Sequence, residues 1–343
     1  MPAGEREWVQ WLQAAARAPH AAAPRRTLRL GIGDDAAIVR LGSREEAAVT
    51  TDLFLEGVHF LLRRERAADC GYRCASRALS DLAAMGARPA ALWLSLALPG
   101  SPRFAAHAWG RQFVGGLLQA AGEAGAALAG GDLAVSPRGV AADIVGLGVL
   151  PRGRALTRAG ARPGDRLFVS GVLGLAAAGR AWAHRPRRPA STRPPTAALA
   201  RHRRPRARWE LGMALASRRL ATAAMDISDG LSLDLARLCA ASGVGAVVDA
   251  DRLPRLPGAA GLRFALAGGE DYELLFAAPP ASAARLRGLR LPVPITEIGA
   301  ITVRRGLWLR DAAGRARPLA ARGWDAFRAA APLRRGAALQ AAK

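Results

Sequence analysis

Apolar and polar positions alternate along the chain in two periods, and these divide it into strands and helices. Residues 5–18 place Trp8, Trp11, Leu12 and Ala15 on one face, which predicts an amphipathic helix. Short apolar runs at Leu28–Ile32, Ala36–Val39 and Ala47–Thr51, broken by Gly and Asp, predict strands. Ala67–Met85 reads as a helix stopped by Gly86 and Pro89. A strand over Ala91–Leu98, a helix over Pro102–Ala124 and strands over Ala126–Ala129 and Val140–Leu150 follow. The segment 151–165, PRGRALTRAGARPGD, reads as a crossing between domains. Beyond it come a strand (Arg166–Ser170), a helix (Leu173–Ala183), a strand (Ala221–Met225), a helix (Leu231–Ala241) and a strand (Val244–Asp249). Tyr272, Leu274 and Phe276 alternate as in a strand, Ile295–Val303 and Leu307–Leu309 read as strands, and GWDAF (323–327) opens a last helix. The division is a first domain over 1–150, a second over 151–332 with an Arg/Pro-rich insertion around 184–206, and a disordered tail over 333–343.

Composition narrows the class. At 343 residues and 51% apolar, the chain is globular with ample core. No apolar run approaches the ~20 residues that span a bilayer. The opening MPAGEREWVQWLQ lacks a signal-peptide pattern, so a cytoplasmic location is expected. Three cysteines argue against a disulfide framework. The net charge of +23 invites a nucleic-acid reading. Against it, almost every basic residue is Arg, and twelve of them crowd Arg180–Arg219 with five Pro, a pattern expected of a solvated loop. The one lysine, Lys343, rules out a P-loop.

The acids change the picture most. Asp34, Asp35, Asp52, Asp81, Asp132, Asp226, Asp229, Glu270 and Asp271 each stand beside Gly or at the edge of an apolar run. Taken singly, turn chemistry or helix capping explains most of them, with Ser228 or Asp229 the ordinary cap of the helix from Leu231. Asp226 lies too early for a cap. So many such acids in a cationic chain suggest a site that gathers several around divalent cations, and hence phosphoryl transfer.

The motifs GIGDDAA, TTDLFLEGVHF, LSDLAAMGA, GGD, GRALTR, DISDGL, GGEDYEL and GWDAF occur in this order from about residue 28 to 327. Together they resemble the thiamine-monophosphate kinases of the aminoimidazole ribonucleotide synthetase-like superfamily. The resemblance implies a two-domain α/β (α+β) fold, with an N-terminal mixed-sheet domain that dimerises and a C-terminal α/β domain. It implies ATP as co-substrate, several Mg²⁺ ions and thiamine monophosphate as acceptor. Carried over by position, Asp35, Thr50, Thr51, Asp52, Asp81, Asp132, Asp226 and Asp229 would bind metal. Arg158, Ser228 and Gly131 would contact ATP. His59, Glu270 and Trp324 would contact thiamine monophosphate, although singly His59 and Trp324 read as packing residues. No side-chain base is expected, because a phosphate nucleophile is already ionised near neutral pH. The chain departs from the pattern at Leu133–Ala134 after GGD, at Ala207, and in the Arg/Pro insertion at 184–198. The alternatives are another ATP-dependent member of the superfamily and, in a different class, a basic nucleic-acid-binding protein.

Overall fold

The computed structural model describes residues 28–30, 34–41, 43–100, 106–184 and 196–327. The helix expected over 5–18, the tail over 333–343 and the centre of the Arg/Pro insertion lie outside them.

The N-terminal half builds one six-stranded sheet, ordered β1-β2-β3-β6-β4-β5. Its strands are β1 (Leu28–Leu30), β2 (Ala37–Arg40), β3 (Glu45–Leu55), β4 (Arg88–Pro99), β5 (Ala127–Ser136) and β6 (Ala141–Pro151). All pairs are antiparallel except β4–β5. Two helices, α1 (Ala67–Ala84) and α2 (Ala106–Glu123), pack beside it. They cross closely: a Cβ on Gly71 would lie 1.8 Å from the Phe113 carbonyl oxygen, and one on Gly116 the same distance from that of Ala68. Only glycine permits this approach. Helix α1 ends as its sequence predicts, at Gly86 with φ +71°.

The C-terminal half builds a seven-stranded sheet, ordered β13-β12-β9-β11-β7-β10-β8. Its strands are β7 (Arg166–Ser170), β8 (Ala223–Ile227), β9 (Gly245–Asp249), β10 (Glu273–Ala278), β11 (Ile295–Thr302), β12 (Gly306–Arg310) and β13 (Ala316–Pro318). The helices are α3 (Leu175–Ala183), α4 (Thr196–Arg203), α5 (Trp209–Ser217), α6 (Leu231–Ser242), α7 (Gly258–Ala267) and the short α8 (Ala283–Arg287). Strand alternation divides the core. Leu167, Val169, Met225, Ile227 and Leu275 join the cluster containing Leu231, Leu235 and Leu238 of α6. Phe168, Ala224, Leu274 and Phe276 join the cluster of α1 and α5, which continues into the N-terminal sheet. Helix α1 is therefore shared by both halves, and the face of β8 that carries Ala224 and Asp226 meets it.

Several expectations are corrected. The strand expected over Ala47–Thr51 runs on to Leu55, so Asp52 lies inside β3 rather than at its end. Gly130, Gly131 and Asp132 form no turn: they continue β5, held in parallel register to β4 opposite Trp93, Leu94 and Ser95. Backbone pairing at the sheet edge overrides the turn preference of Gly-Gly-Asp. Arg180–Arg219 is no simple solvated loop, because α4 and α5 lie within it and Ala198, Leu199, His202, Ala207 and Trp209 are buried. Tyr272 lies outside β10 at φ +49°. Residues 323–327 are not helical. Helix α7 and strand β13 carry no clear period and were not expected. No described helix is long and apolar enough to cross a membrane.

Candidate active site

A cleft of about 1650 Å³ opens where the two halves meet. Asp52, His59, Arg77, Asp81 and Arg158 line it from one side, and Arg180, Asp226, Ser228, Asp229, Glu270, Tyr272 and Trp324 from the other.

Three carboxylates converge there. Asp35, Asp81 and Asp226 each offer an oxygen, all within 4.8 Å of one another. Asp35 lies in the bend just before β2, Asp81 stands on α1, and Asp226 is held on the α1-facing side of β8. Thr50 Oγ1 donates to Asp81 Oδ2 at 2.5 Å, and Ser80 Oγ to Asp226 Oδ2 at 2.7 Å. Arg158 holds Asp35 through two bonds. Burial pushes the Asp81 carboxyl well above the usual range, reinforced by Asp52, Asp226 and Asp35. Burial does the same to Asp226, with Asp35 adding repulsion. Two buried acids and a half-buried one facing one guanidinium are short of positive charge, and a divalent cation would supply it. The donors are all oxygen, which suits Mg²⁺.

Asp34 has a different task. Its carboxylate accepts the backbone N–H of Arg158 at 3.1 Å and that of Asp35 at 3.0 Å, fastening the connector after β6 to this turn. Burial and the neighbouring Asp35 push its pKa up to about 6.

The remaining expected residues divide by strand and turn geometry. Thr50 and Asp52, two apart on β3, share the face toward α1, where Asp52 pairs with Arg77 at 2.8 Å. Thr51 points the other way, is exposed, and donates to Asp143 at 2.8 Å, so it is not brought to the cluster. Asp132 is exposed on the edge strand and accepts the N–H of Leu133, outside the cleft of this chain. Gly131, at φ +149°, serves packing: a Cβ there would lie 1.8 Å from the Leu94 carbonyl oxygen. Asp229 lines the cleft paired with Arg237 at 2.5 Å, apart from the three-acid cluster. Neither Ser228 nor Asp229 caps α6. Asp234 does so from within the helix, accepting the N–H groups of Asp229 and Gly230 at 3.1 and 2.9 Å.

His59 accepts the Leu55 N–H at Nδ1, 2.9 Å away, which leaves its proton on Nε2. Burial, then Arg77 and Arg73, lower its pKa to about 3, so the ring is a neutral donor. Glu270 sits at φ +69° with Arg180 3.7 Å away. Two non-glycine residues in the left-handed region within three positions, Glu270 and Tyr272, both line the cleft. Trp324 is half-buried, and its backbone N–H donates to the Asp229 carbonyl at 3.0 Å. Asp271 is a structural acid: it accepts the N–H of Gly174 at 2.5 Å and of Ala176 at 3.0 Å at the start of α3. Sequence reading missed Arg77, Arg180 and Tyr272. Arg77 precedes Asp81 by four residues on one helix, and that spacing was the available signal.

Two family models match the chain: the AIR synthase related protein N-terminal domain over residues 33–150 and the C-terminal domain over 162–311. A thiamine-monophosphate kinase of Escherichia coli (strain K12) is 39% identical over 80% of this chain and 85% of its own length. The solved structure of AaThiL complexed with AMPPCP and TMP superposes with a TM-score of 0.78 at 29% identity, covering 94% of this chain and 97% of that one. The crystal structure of thiamine-monophosphate kinase from Stenotrophomonas maltophilia K279a gives 0.71 at 36% identity over 88% and 94%.

Proposed function

We infer the activity from one premise: the chain belongs to the thiamine-monophosphate kinase family. It catalyses ATP-dependent phosphorylation of thiamine monophosphate to thiamine diphosphate. The observation that carries this reading beyond the family match is the convergence of Asp35, Asp81 and Asp226 in a cleft large enough for two substrates.

Asp35, Asp81 and Asp226 would hold Mg²⁺, with Asp52 beside them and Asp229 near a further ion. When bound, such ions neutralise and align phosphate oxygens. The chain's own residues do the rest. Arg158 and Ser228 would face ATP, while His59, Glu270 and Trp324 would face the thiamine moiety. An ionised oxygen of the thiamine monophosphate phosphate attacks the γ-phosphorus, the bond to the β–γ bridging oxygen breaks, and ADP leaves with that electron pair. The acceptor needs no deprotonation, and the neutral His59, with a pKa of about 3, would serve as a hydrogen-bond donor rather than a base. Arg77 and Arg180 add positive charge where two polyanions must meet.

We also propose a homodimer. The edge strand β5 leaves Leu133 and Val135, two apart on one face, 76% and 77% exposed. An open apolar edge invites pairing with a second copy, and Asp132 would then lie at that interface.

The test is ADP release in a coupled assay with Mg²⁺, comparing thiamine monophosphate with free thiamine. Turnover is expected with the monophosphate alone. Equal turnover of free thiamine would overturn the reading, because its hydroxyl would require a base.

A further inference from the structure

A second cluster lies beyond the acids. Glu65 stands just before α1, His184 closes α3, and His202 is buried on α4. One donor atom from each lies within 4.8 Å of the others. Glu65 Oε1 is 3.2 Å from His184 Nε2, and Glu65 Oε2 is 3.6 Å from His202 Nε2. The two contacts use different oxygens of Glu65, and each lies near the roughly 3.3–3.5 Å that separates donor atoms around a tetrahedral ion with bonds of about 2.0–2.1 Å.

The alignment matters as much as the distance. His184 Nε2 is shielded from solvent, yet it makes no well-aligned hydrogen bond despite its closeness to Glu65. Its lone pair or proton is thus left without an aligned protein partner at the point where the Glu65 and His202 donor atoms also face. Arg73 shares the site. Its Nη2 holds Glu65 Oε2 at 2.7 Å, while Nη1 is 3.3 and 3.4 Å from the two ring nitrogens of His202. Near-equal distances to both nitrogens place the guanidinium over the ring face, so it does not occupy the in-plane lone pairs. The Leu61 N–H fixes Glu65 Oε1 at 3.0 Å. Ligating carboxylates are held by such outer partners.

We propose that Glu65, His184 and His202 form a binding site for a divalent transition-metal ion of the zinc type, distinct in donor set from the oxygen-only acid cluster. Imidazole with one carboxylate suits Zn²⁺ rather than Mg²⁺. The ion links the segment before α1 to the end of α3 and to α4. It thereby fixes the helix turn that carries Arg180, whose carbonyl accepts the His184 N–H at 3.0 Å, against the cleft. The positive charge of Arg73 moderates the affinity.

The test is titration of the full chain with Co²⁺, a spectroscopic stand-in for Zn²⁺, in excess Mg²⁺ so that the acid cluster is occupied. The proposal expects one equivalent bound with the visible bands of four-coordinate Co²⁺, and Zn²⁺ displacing it. His184→Ala, at a partly exposed position, should abolish the bands while circular dichroism stays unchanged. Glu65→Gln should weaken binding by more than about tenfold. Asp81→Asn should leave the bands intact, and Zn²⁺ should raise the Tm of the parent protein but not of His184→Ala. Bands that survive His184→Ala, bands that vanish in Asp81→Asn, or no Co²⁺ uptake would each overturn the proposal. Binding is read without substrate, so this outcome is independent of the kinase assay.

Discussion

Arg158 grips Asp35 with two bonds, Nε to Oδ2 at 3.1 Å and Nη2 to Oδ1 at 2.8 Å, joining residues 123 apart in sequence. The connector between the two sheets is thereby fastened to the acid cluster. Without Arg158, the three carboxylates of the cluster would face one another with no direct cationic partner. Arg158→Met should cost about 1.5–3 kcal/mol, the worth of hydrogen bonds to a charged group. Millimolar Mg²⁺ should return part of the loss in Tm, and melting with and without Mg²⁺ measures it. An equal loss in both conditions would count against a cation site at Asp35.

Asp226 should trade stability for activity. Burial and Asp35 disfavour its charged form. Asp226→Asn should therefore raise Tm in metal-free buffer while lowering kcat/KM by about a hundredfold or more, the scale of losing one electrostatic stabiliser. Asp311→Asn, on an exposed turn, should leave kcat/KM unchanged. Equal, small losses in both variants would count against metal binding at Asp226.

Trp324 should govern acceptor binding. It lines the cleft without belonging to a helix. The thiazolium of thiamine is a permanent cation, and an indole face holds a cation with about 0.5–2 kcal/mol. Trp324→Ala should raise KM for thiamine monophosphate severalfold to tens of fold and leave KM for ATP unchanged. A large fall in Tm with unchanged KM would assign the residue to packing instead.

Asp271 should make stability depend on pH. Burial raises its folded pKa to about 7, only partly offset by the Ala176 and Gly174 N–H groups. The unfolded value is about 3.9. The folded state therefore holds this proton more tightly, so its contribution is complete below pH ~4 and is lost as pH rises toward about 7. Denaturant midpoints at pH 5 and pH 8 should differ less in Asp271→Asn than in the parent. An unchanged difference would remove this group from the balance.

The exposed edge of β5 gives a test of assembly. Leu133→Lys should turn a dimer into a monomer in light scattering while melting of the single chain changes little. A parent protein that is already monomeric at the same concentration would reject the dimer.

The sequence by itself determined the class of chemistry and most of the strands and helices. Apolar periods and glycine stops are local, and α1 ends at Gly86 as read. The ordered motifs identified the family without any coordinates. Strand alternation could even have separated Thr50 and Asp52 from Thr51, had the full length of β3 been legible. Tertiary structure decided which acids serve the site. Asp226 and Asp271 both border an apolar run, yet one faces two other carboxylates and the other caps α3. It also decided that the arginines of the supposed loop turn inward, where Arg208 and Arg201 meet the buried Glu273. Charge compensation acts through space between residues 65 and 72 positions apart, and no local pattern records it.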